Sequence, residues 1–201
     1  MNKPLDFLRR IIGRNRIILS IIIGSIFLYL ATPTRTAILT GVPFILLGET
    51  IRTWASGFIK KDRELAQGGP YAFTRNPLYL GNFLIGAGFS IMANNIVLFV
   101  LFLTTFSIVY GFTIKNEERS LLAKFGDSYL AYKSRVSAFF PLRIIPLCPP
   151  LEKGDIGGFA CWRDFSLDFD WHLVKRHREH HTWLGIAGCL MVFILKVSLS
   201  P

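Results

Sequence analysis

Residues 68–81, GGPYAFTRNPLYLG, join two apolar runs of the chain, yet they are polar, aromatic and turn-forming. The Gly-Gly-Pro sequence interrupts regular structure, and a residue before proline, here Asn76, is driven out of the helical region. Pro77 suits the first turn of a helix, because its missing N–H is not needed there. Free backbone N–H groups at such a helix start, with Arg75 beside them, favour an anionic group. The stretch therefore predicts either a binding site or an ordinary connector between two spans.

Composition indicates an integral membrane protein. The chain has 201 residues, of which 51% are hydrophobic, and a formal net charge of +10. This combination fits neither an average soluble domain nor a disordered chain. The cysteines, Cys148, Cys161 and Cys189, lie far apart and offer neither a disulfide framework nor metal-ligand spacing, which favours a reducing compartment. The length allows one domain, so we expect residues 1–201 to form a single one.

Apolar runs predict an all-α membrane protein with about five transmembrane helices, at residues 17–31, 36–58, 78–93, 96–114 and 183–199. A bilayer core about 30 Å thick requires roughly 20 apolar residues, and flanking basic side chains can snorkel to extend a shorter run. The run at 78–93 is rich in glycine, which permits close contact with a neighbouring helix. After residue 115 the chain is soluble in character, and Gly126 is expected to interrupt its helix.

Basic residues gather on one side of this topology. With a cytoplasmic N-terminus, only Arg35 and Lys196 of the 23 Lys and Arg residues fall towards the other side. This distribution follows the positive-inside rule. It places residues 68–81 and the cluster at 116–119, which contains Glu117 and Glu118, together at the mouth of a two-span hairpin. We therefore expect the N-terminus and the site on the cytoplasmic side, in a bacterial-type inner membrane.

Charged or titratable residues at three places allow both a functional and a structural interpretation. Glu117 and Glu118 are site candidates, although carboxylates also suit the start of a helix. Glu49 lies within the second span, where an ionisable group is costly and often functional, but Arg52 one turn away can neutralise it. Histidines cluster at 172–181 among basic residues, and a segment lying on anionic headgroups explains them better than a metal site.

Two motifs flank the hairpin: Gly69-Pro70-Tyr71-x-x-x-Arg75-Asn76-Pro77-x-Tyr79-x-Gly81, and Glu117-Glu118-x-x-Leu121-x-x-x-Phe125-Gly126-x-x-Tyr129-x-x-Tyr132-x-x-x-Val136, followed by Pro141. Together they resemble the isoprenylcysteine carboxyl methyltransferase family and its phospholipid methyltransferase relatives. The likeness covers residues 45–141 and leaves 142–201 outside it. That extension, with the fifth span, either completes a lipid-facing pocket or serves as an anchor.

The resemblance implies an enzyme that uses S-adenosyl-L-methionine and methylates a lipophilic acceptor, namely a carboxylate, a thiol, or an amine-bearing lipid or isoprenoid. Membrane lipids would be its other partners, with no nucleic acid and no metal. By position, the resemblance implies these cofactor contacts: Arg63, Glu64, Leu65, Ala66, Tyr71, Asn76, Pro77, Leu78, Tyr79 and Glu117. Methyl displacement requires alignment and a dry site, and an amine or alcohol acceptor also needs a base. The catalytic candidates are Glu118, Glu49 and Arg75.

Two positions depart from that family. Many members have His where this chain has Asn76, and eukaryotic prenylcysteine members have a substrate-binding Arg at the position of Thr113. The second difference argues against a prenylcysteine carboxylate as the acceptor.

Two alternative functions stay open. One is an NADPH-dependent reductase of sterol-like lipids, which is similar around this turn but has an Asn-Tyr pair and a Glu that the chain lacks. The other is a non-catalytic membrane scaffold.

Overall fold

The computed structural model describes residues 24–59, 65–141, 169–176 and 179–199. Its named elements are helix α1 (Arg35–Ser56), a 3-10 turn (Gly69–Ala72), and helices α2 (Pro77–Met92), α3 (Ile96–Arg135), α4 (Trp171–Arg176) and α5 (Glu179–Leu199). Residues 24–30 are helical as well. These described ranges contain no β-strand, and one isolated bridge joins Thr74 to Ser137. The predicted all-α class is confirmed.

Helices α1 and α2 pack closely because glycines face each other at two levels. A Cβ on Gly48 would lie 2.6 Å from the carbonyl oxygen of Gly81, and a Cβ on Gly81 would lie 2.6 Å from that of Gly48. Gly41 and Gly88 form the second pair, with corresponding distances of 2.6 and 2.8 Å. The two glycines of each helix are two turns apart and therefore share one face. The predicted role of the glycine-rich run is confirmed.

Two turns meet at one end of the bundle, which we call the turn end (residues 31–34 and 93–95). The Thr32 N–H donates to the Ala93 carbonyl at 2.8 Å, and the Asn94 side chain donates to the Thr32 carbonyl at 3.3 Å. Lys196, near the last turn of α5, donates to the backbone carbonyls of residues 28, 29 and 31. Residues 65–76 and 115–141 occupy the opposite end, which we call the motif end.

Apolar surface is extensively exposed along the helices. Leu39 is 73% exposed, Val97 69% and Phe112 68%. A soluble monomer seldom exposes apolar surface on this scale, whereas lipid tails would cover it. Within the described ranges, two helices, α3 and α5, are long and apolar enough to cross a membrane, and α2 is apolar but shorter. Residues 17–23 of the first predicted span lie outside those ranges. The number of five spans and the orientation therefore stay predictions.

The predicted fourth span continues as a helix into the soluble segment after it, and α3 consists of two helices joined at Gly126. Glu117 and Glu118 thus lie inside a helix, so the attraction of carboxylates to a helix start does not explain them. Gly126 breaks the helix as predicted, with φ 50° and ψ −124°. Lys133 Nζ lies 2.8 Å from a Glu118 oxygen, although 15 residues of straight helix would rise about 22 Å. The chain therefore reverses at Gly126, and the last turns of α3 fold back on the preceding ones.

Candidate functional site

The loop before α2 adopts the turn that its sequence predicts. Gly69 has φ +56°, and a Cβ there would lie 2.7 Å from the ring of Phe58. Glycine is therefore required on both conformational and steric grounds. Asn76 is non-helical, with φ −131° and ψ 57°, and Pro77 begins α2. These residues fix the loop against the end of α1 and lead the chain into α2, the first helix of the hairpin.

One side-chain contact joins the two motifs. The Tyr79 hydroxyl on α2 donates to a Glu117 carboxylate oxygen on α3 at 2.8 Å. Tyr71 completes what we call the Tyr–Glu cluster (Tyr71, Tyr79 and Glu117). Burial raises the pKa of the Tyr71 hydroxyl well above its ordinary value, and the proximity of Tyr132, Glu117 and Tyr79 raises this pKa further. The predicted meeting of the two motifs at the mouth of the hairpin is confirmed.

A second contact between the motifs is an ion pair. Arg75 lies 2.9 Å from Glu118, and the Arg75 side chain is only 9% exposed. Lys133 lies 2.8 Å from the other oxygen of the same carboxylate. The Arg75 guanidinium also donates to the Tyr129 hydroxyl at 3.4 Å. Glu118 is thus held between two cations, one on each carboxylate oxygen.

The end of α3 and the residues that follow it cross the loop at residues 68–76, which we call the motif loop. The Tyr132 hydroxyl donates to the Tyr71 carbonyl at 2.7 Å, and burial raises the pKa of Tyr132. The Thr74 hydroxyl donates to the Phe139 carbonyl and the Asn76 amide to the Ala138 carbonyl, both at 2.7 Å. The tyrosines of the second motif therefore clamp the first motif. This role differs from the membrane-interface role that tyrosines at this depth usually have, and their burial distinguishes the two.

A polar network runs from α1 towards the Tyr–Glu cluster. Arg52 donates to the Asn82 side-chain oxygen and contacts Glu179 at 2.8 Å. The Asn82 amide donates to the Tyr110 hydroxyl at 3.2 Å, and the Tyr110 ring meets the Tyr79 ring edge-on, with centroids 5.1 Å apart. Asn82, Tyr110 and Glu179 were not apparent from the sequence. Asn82 lies one helical turn after Tyr79, and this spacing is the one signal that links it to the motif.

Glu49 has a different environment from the other candidates. The Arg52 Nε atom is 3.8 Å from its carboxylate, so the predicted pair is present, but the shorter contact of Arg52 is with Glu179. Glu49 lines an open groove of about 700 Å³, whose apolar walls include Trp54, Phe58, Phe169 and Trp183. Phe169 and Trp183 belong to the C-terminal extension, residues 142–201.

The remaining predicted residues fall into two groups. Leu65 is partly buried before the Gly-Gly turn, while Ala66 and Leu78 pack against the buried cluster of Ala55, Phe58 and Tyr71. Arg63 and Glu64 lie outside the described residues, as do His177, Cys148 and Cys161. In the part of the chain that the structure describes, no group of three or more His, Cys, Asp or Glu side chains could hold a metal ion.

The fold and the site define a helical membrane protein that carries a tyrosine–carboxylate cluster at one end of its bundle. The model of the phospholipid methyltransferase family matches residues 20–128, and the chain belongs to this family of methyltransferases. The resemblance inferred from the two motifs is thereby confirmed.

The chain is also similar to a metal-resistance protein and to two methyltransferases. The chain is 30% identical to the nickel-cobalt-cadmium resistance protein NccN of Alcaligenes xylosoxydans xylosoxydans over 69% of its own length and 68% of NccN. It is 35% identical to the protein-S-isoprenylcysteine O-methyltransferase of Schizosaccharomyces pombe, over 41% of this chain and 35% of that one. It is 40% identical to methanethiol S-methyltransferase 1 of Bradyrhizobium diazoefficiens, over 36% of this chain and 25% of that one. No solved structure matches the chain.

Proposed function

We propose that the protein is a single-domain, integral membrane methyltransferase that uses S-adenosyl-L-methionine and methylates a lipophilic, membrane-embedded acceptor. The cofactor supplies a methyl group activated by a positive sulfonium. The observation that carries the proposal is the 2.8 Å contact between Tyr79 and Glu117, because it unites the two motifs in one cluster. Membership of a methyltransferase family supports this reading over an NADPH-dependent lipid reductase.

The Tyr–Glu cluster suits the cofactor chemically. Glu117 is exposed, and a carboxylate accepts several hydrogen bonds, so it can accept from ribose hydroxyls or an ammonium group besides Tyr79. The partly exposed aromatic ring of Tyr79 offers a face that attracts an adenine ring or a cation, and the buried ring of Tyr71 lies near it. We assign the lining before the turn to the backbone of residues 63–66.

The N-terminal end of α2 completes the proposed cofactor site with Asn76, Pro77 and Leu78. The Asn76 amide is engaged with the Ala138 carbonyl, so we assign Asn76 to holding the turn in shape. Arg75 and Glu118 hold α3 against the loop through their ion pair. Both oxygens of Glu118 are engaged by the cations Arg75 and Lys133, and Glu118 therefore acts as a positioning residue in this proposal.

The acceptor side differs from the Tyr–Glu cluster in being apolar. A carboxylate or thiolate acceptor reacts without a base, whereas an amine or alcohol acceptor must lose a proton, for which Glu49 in the groove is the candidate. Thr113 donates to the Val109 carbonyl at 2.8 Å and brings no charge to bind an acceptor carboxylate. This arrangement favours an acceptor other than a prenylcysteine carboxylate.

The proposed topology has five spans with the motif end in the cytoplasm. Two features support it. The helix at residues 24–30 ends at the turn end, and α1 begins there. The last turn of α5 lies at the same end, because Lys196 donates to the Leu28 carbonyl. Conversely, Glu179 at the start of α5 contacts Arg52 in the last turns of α1, nearer the motif end. The helices thus alternate in direction, as consecutive membrane spans must.

Single cysteines introduced at Asp127 and Asn94, in a chain whose three native cysteines are replaced by serine, test this orientation. In inverted bacterial membrane vesicles, an impermeant maleimide should label the cysteine at 127 and spare the cysteine at 94. The opposite labelling pattern would overturn the proposed orientation.

Methyl transfer itself is tested with membranes that contain the protein and methyl-labelled S-adenosylmethionine. Label should enter the lipid-soluble fraction with the parent protein and with Asp127→Asn, an exposed carboxylate control on α3. Glu117→Gln and Tyr79→Phe should lower this incorporation by tenfold or more, because the first removes the charge of the proposed cofactor ligand and the second removes the donor of its hydrogen bond. Equal incorporation by all four proteins would contradict the proposal and favour a scaffold.

A further inference from the structure

Tyr110 lies deeper in the bundle than the Tyr–Glu cluster and is joined to it by a ring contact. Its ring meets the Tyr79 ring edge-on, with centroids 5.1 Å apart, and Tyr79 in turn donates to Glu117. Tyr110 and Glu117 are two turns apart on α3 and therefore share one face, separated by about 10 Å along the helix axis. Because Glu117 lies at the motif end, Tyr110 lies that much nearer the apolar middle of the predicted span at 96–114.

The hydrogen bonds of Asn82 determine the direction of the Tyr110 hydroxyl. The Arg52 guanidinium has donors and no acceptor, so it must face the Asn82 amide oxygen, to which it donates. The Asn82 amide nitrogen then faces Tyr110 and donates to its oxygen at 3.2 Å. An amide N–H cannot accept a hydrogen bond, so the Tyr110 hydrogen points elsewhere, and no group among the described residues accepts it. Tyr110 is partly buried and therefore offers a donor within the bundle.

The surroundings of this donor are aromatic, and its one link to a cation is already neutralised. Phe106 stacks on the Tyr110 ring with centroids 4.1 Å apart, and Phe83 meets the Phe106 ring edge-on at 5.2 Å. Arg52, which reaches Tyr110 through Asn82, lies between two carboxylates at 2.8 and 3.8 Å. Its charge is therefore not available to an anion at Tyr110, and burying an anion without a partner is costly. The position suits an uncharged hydrogen-bond acceptor.

We propose that Tyr110 binds the methyl acceptor, by donating a hydrogen bond to an uncharged oxygen, a hydroxyl or a carbonyl, at the polar end of the lipid. This role rests on the proposed methyltransferase function and narrows its substrate class, because a lipid whose polar end is only a carboxylate has no such oxygen. With the cofactor at Glu117 and the acceptor at Tyr110, Tyr79 lies between the two. Asn82 is a positioning residue, since it turns the Tyr110 hydrogen away from itself and towards the acceptor.

Competition by simple amphiphiles tests this role. Purified protein in dodecylmaltoside micelles transfers label from methyl-labelled S-adenosylmethionine to a total lipid extract of the host membranes. The competitors are 1-tetradecanol, myristate and 1-chlorotetradecane, which has a dipole but accepts hydrogen bonds poorly. For the parent protein, tetradecanol should halve incorporation at a micellar mole fraction about fivefold below that of chlorotetradecane, as expected for one neutral hydrogen bond. Myristate should compete no better than chlorotetradecane, because its charge has no partner at Tyr110.

Two variants separate the hydroxyl hydrogen from the aromatic ring. Tyr110→Phe keeps the ring contacts, so tetradecanol and chlorotetradecane should become equal competitors, while the calorimetric dissociation constant for S-adenosylmethionine should change by less than about twofold. Asn82→Asp keeps Tyr110 but offers it a carboxylate oxygen, which accepts the hydroxyl hydrogen and withdraws it from the ligand. The preference for the alcohol should therefore be lost in this variant as well. Asp127→Asn, the exposed control, should keep the preference.

The possible results separate this role from the proposed function. An alcohol preference that survives Tyr110→Phe, or that is absent from a parent protein that methylates the extract, would overturn the role of Tyr110 and leave the methyltransferase function standing. A loss of S-adenosylmethionine affinity in Tyr110→Phe as large as that in Glu117→Gln would also overturn it, by placing Tyr110 in the cofactor site. An alcohol preference retained by Asn82→Asp would overturn the positioning role of Asn82. A parent protein that neither binds S-adenosylmethionine nor transfers label would overturn both proposals.

Discussion

Replacing Glu118 by glutamine should destabilise the protein more than its place on the side of a long helix suggests. The Arg75 side chain is 9% exposed and would lose its 2.9 Å ion pair. Removing one partner of a buried pair costs roughly 3–5 kcal/mol. Because Glu118 is 20% exposed and glutamine still accepts a hydrogen bond, we expect a loss of about 2 kcal/mol in the free energy of unfolding.

Lys133→Met provides the matched comparison, because it removes the other contact of the same carboxylate. Lys133 is 44% exposed, so its loss should change the free energy of unfolding by less than about 1 kcal/mol. Denaturant unfolding of the detergent-solubilised variants, followed by tryptophan fluorescence, measures both effects. The double variant Arg75→Gln/Glu118→Gln should recover part of the loss, since no charge stays unpaired. Equal effects of Glu118→Gln and Lys133→Met would refute this reasoning, and a stable but inactive Glu118→Gln protein would make Glu118 a catalytic base.

Helix packing and alkaline pH give two further predictions. Gly81→Ala should lower the free energy of unfolding by roughly 1–3 kcal/mol, because its Cβ would meet the Gly48 carbonyl at 2.6 Å. Gly111→Ala, which has no described atom within 4 Å, should leave the melting temperature unchanged or raise it; equal melting temperatures of the two variants would contradict the packing account. Burial raises the pKa of Tyr132, whose hydroxyl must stay protonated to donate to Tyr71. Stability should therefore hold below about pH 10, the ordinary tyrosine value, and decline as pH rises above it. The melting temperature of Tyr132→Phe should fall less steeply with rising pH than that of the parent protein. An equally steep fall would count against the role of this hydroxyl.

Much of the fold follows from local rules that the sequence carries openly. Gly69, Asn76 and Pro77 each restrict the backbone in a known way, and the loop adopts the predicted turn. The glycines of α2 predict close packing by size alone, although their partners Gly41 and Gly48 could be identified only once the helices were paired. The joining of the fourth span to the following helix was missed, because polarity changes at residue 115 while the helix continues.

The site was harder to predict where it depends on the folded chain. A fixed two-span spacer makes neighbours of its two ends, so the meeting of Tyr79 with Glu117 could be expected from the hairpin. The return of the chain at Gly126 brings Tyr132 onto Tyr71, and a glycine shows that a helix breaks without showing the direction that follows. The groove could not be predicted from the sequence, because Glu49 and Trp183 are more than 130 residues apart and come together only through packing of α5 on α1.

Calorimetric titration of the purified, detergent-solubilised protein with S-adenosylmethionine tests the central claim most directly. We predict saturable binding by the parent protein, the same affinity for Asp127→Asn, and a dissociation constant raised about tenfold or more for Glu117→Gln, as expected for loss of hydrogen bonds to a charged group. A folded parent protein that gives no binding heat, and whose melting temperature S-adenosylmethionine does not raise, would contradict the account.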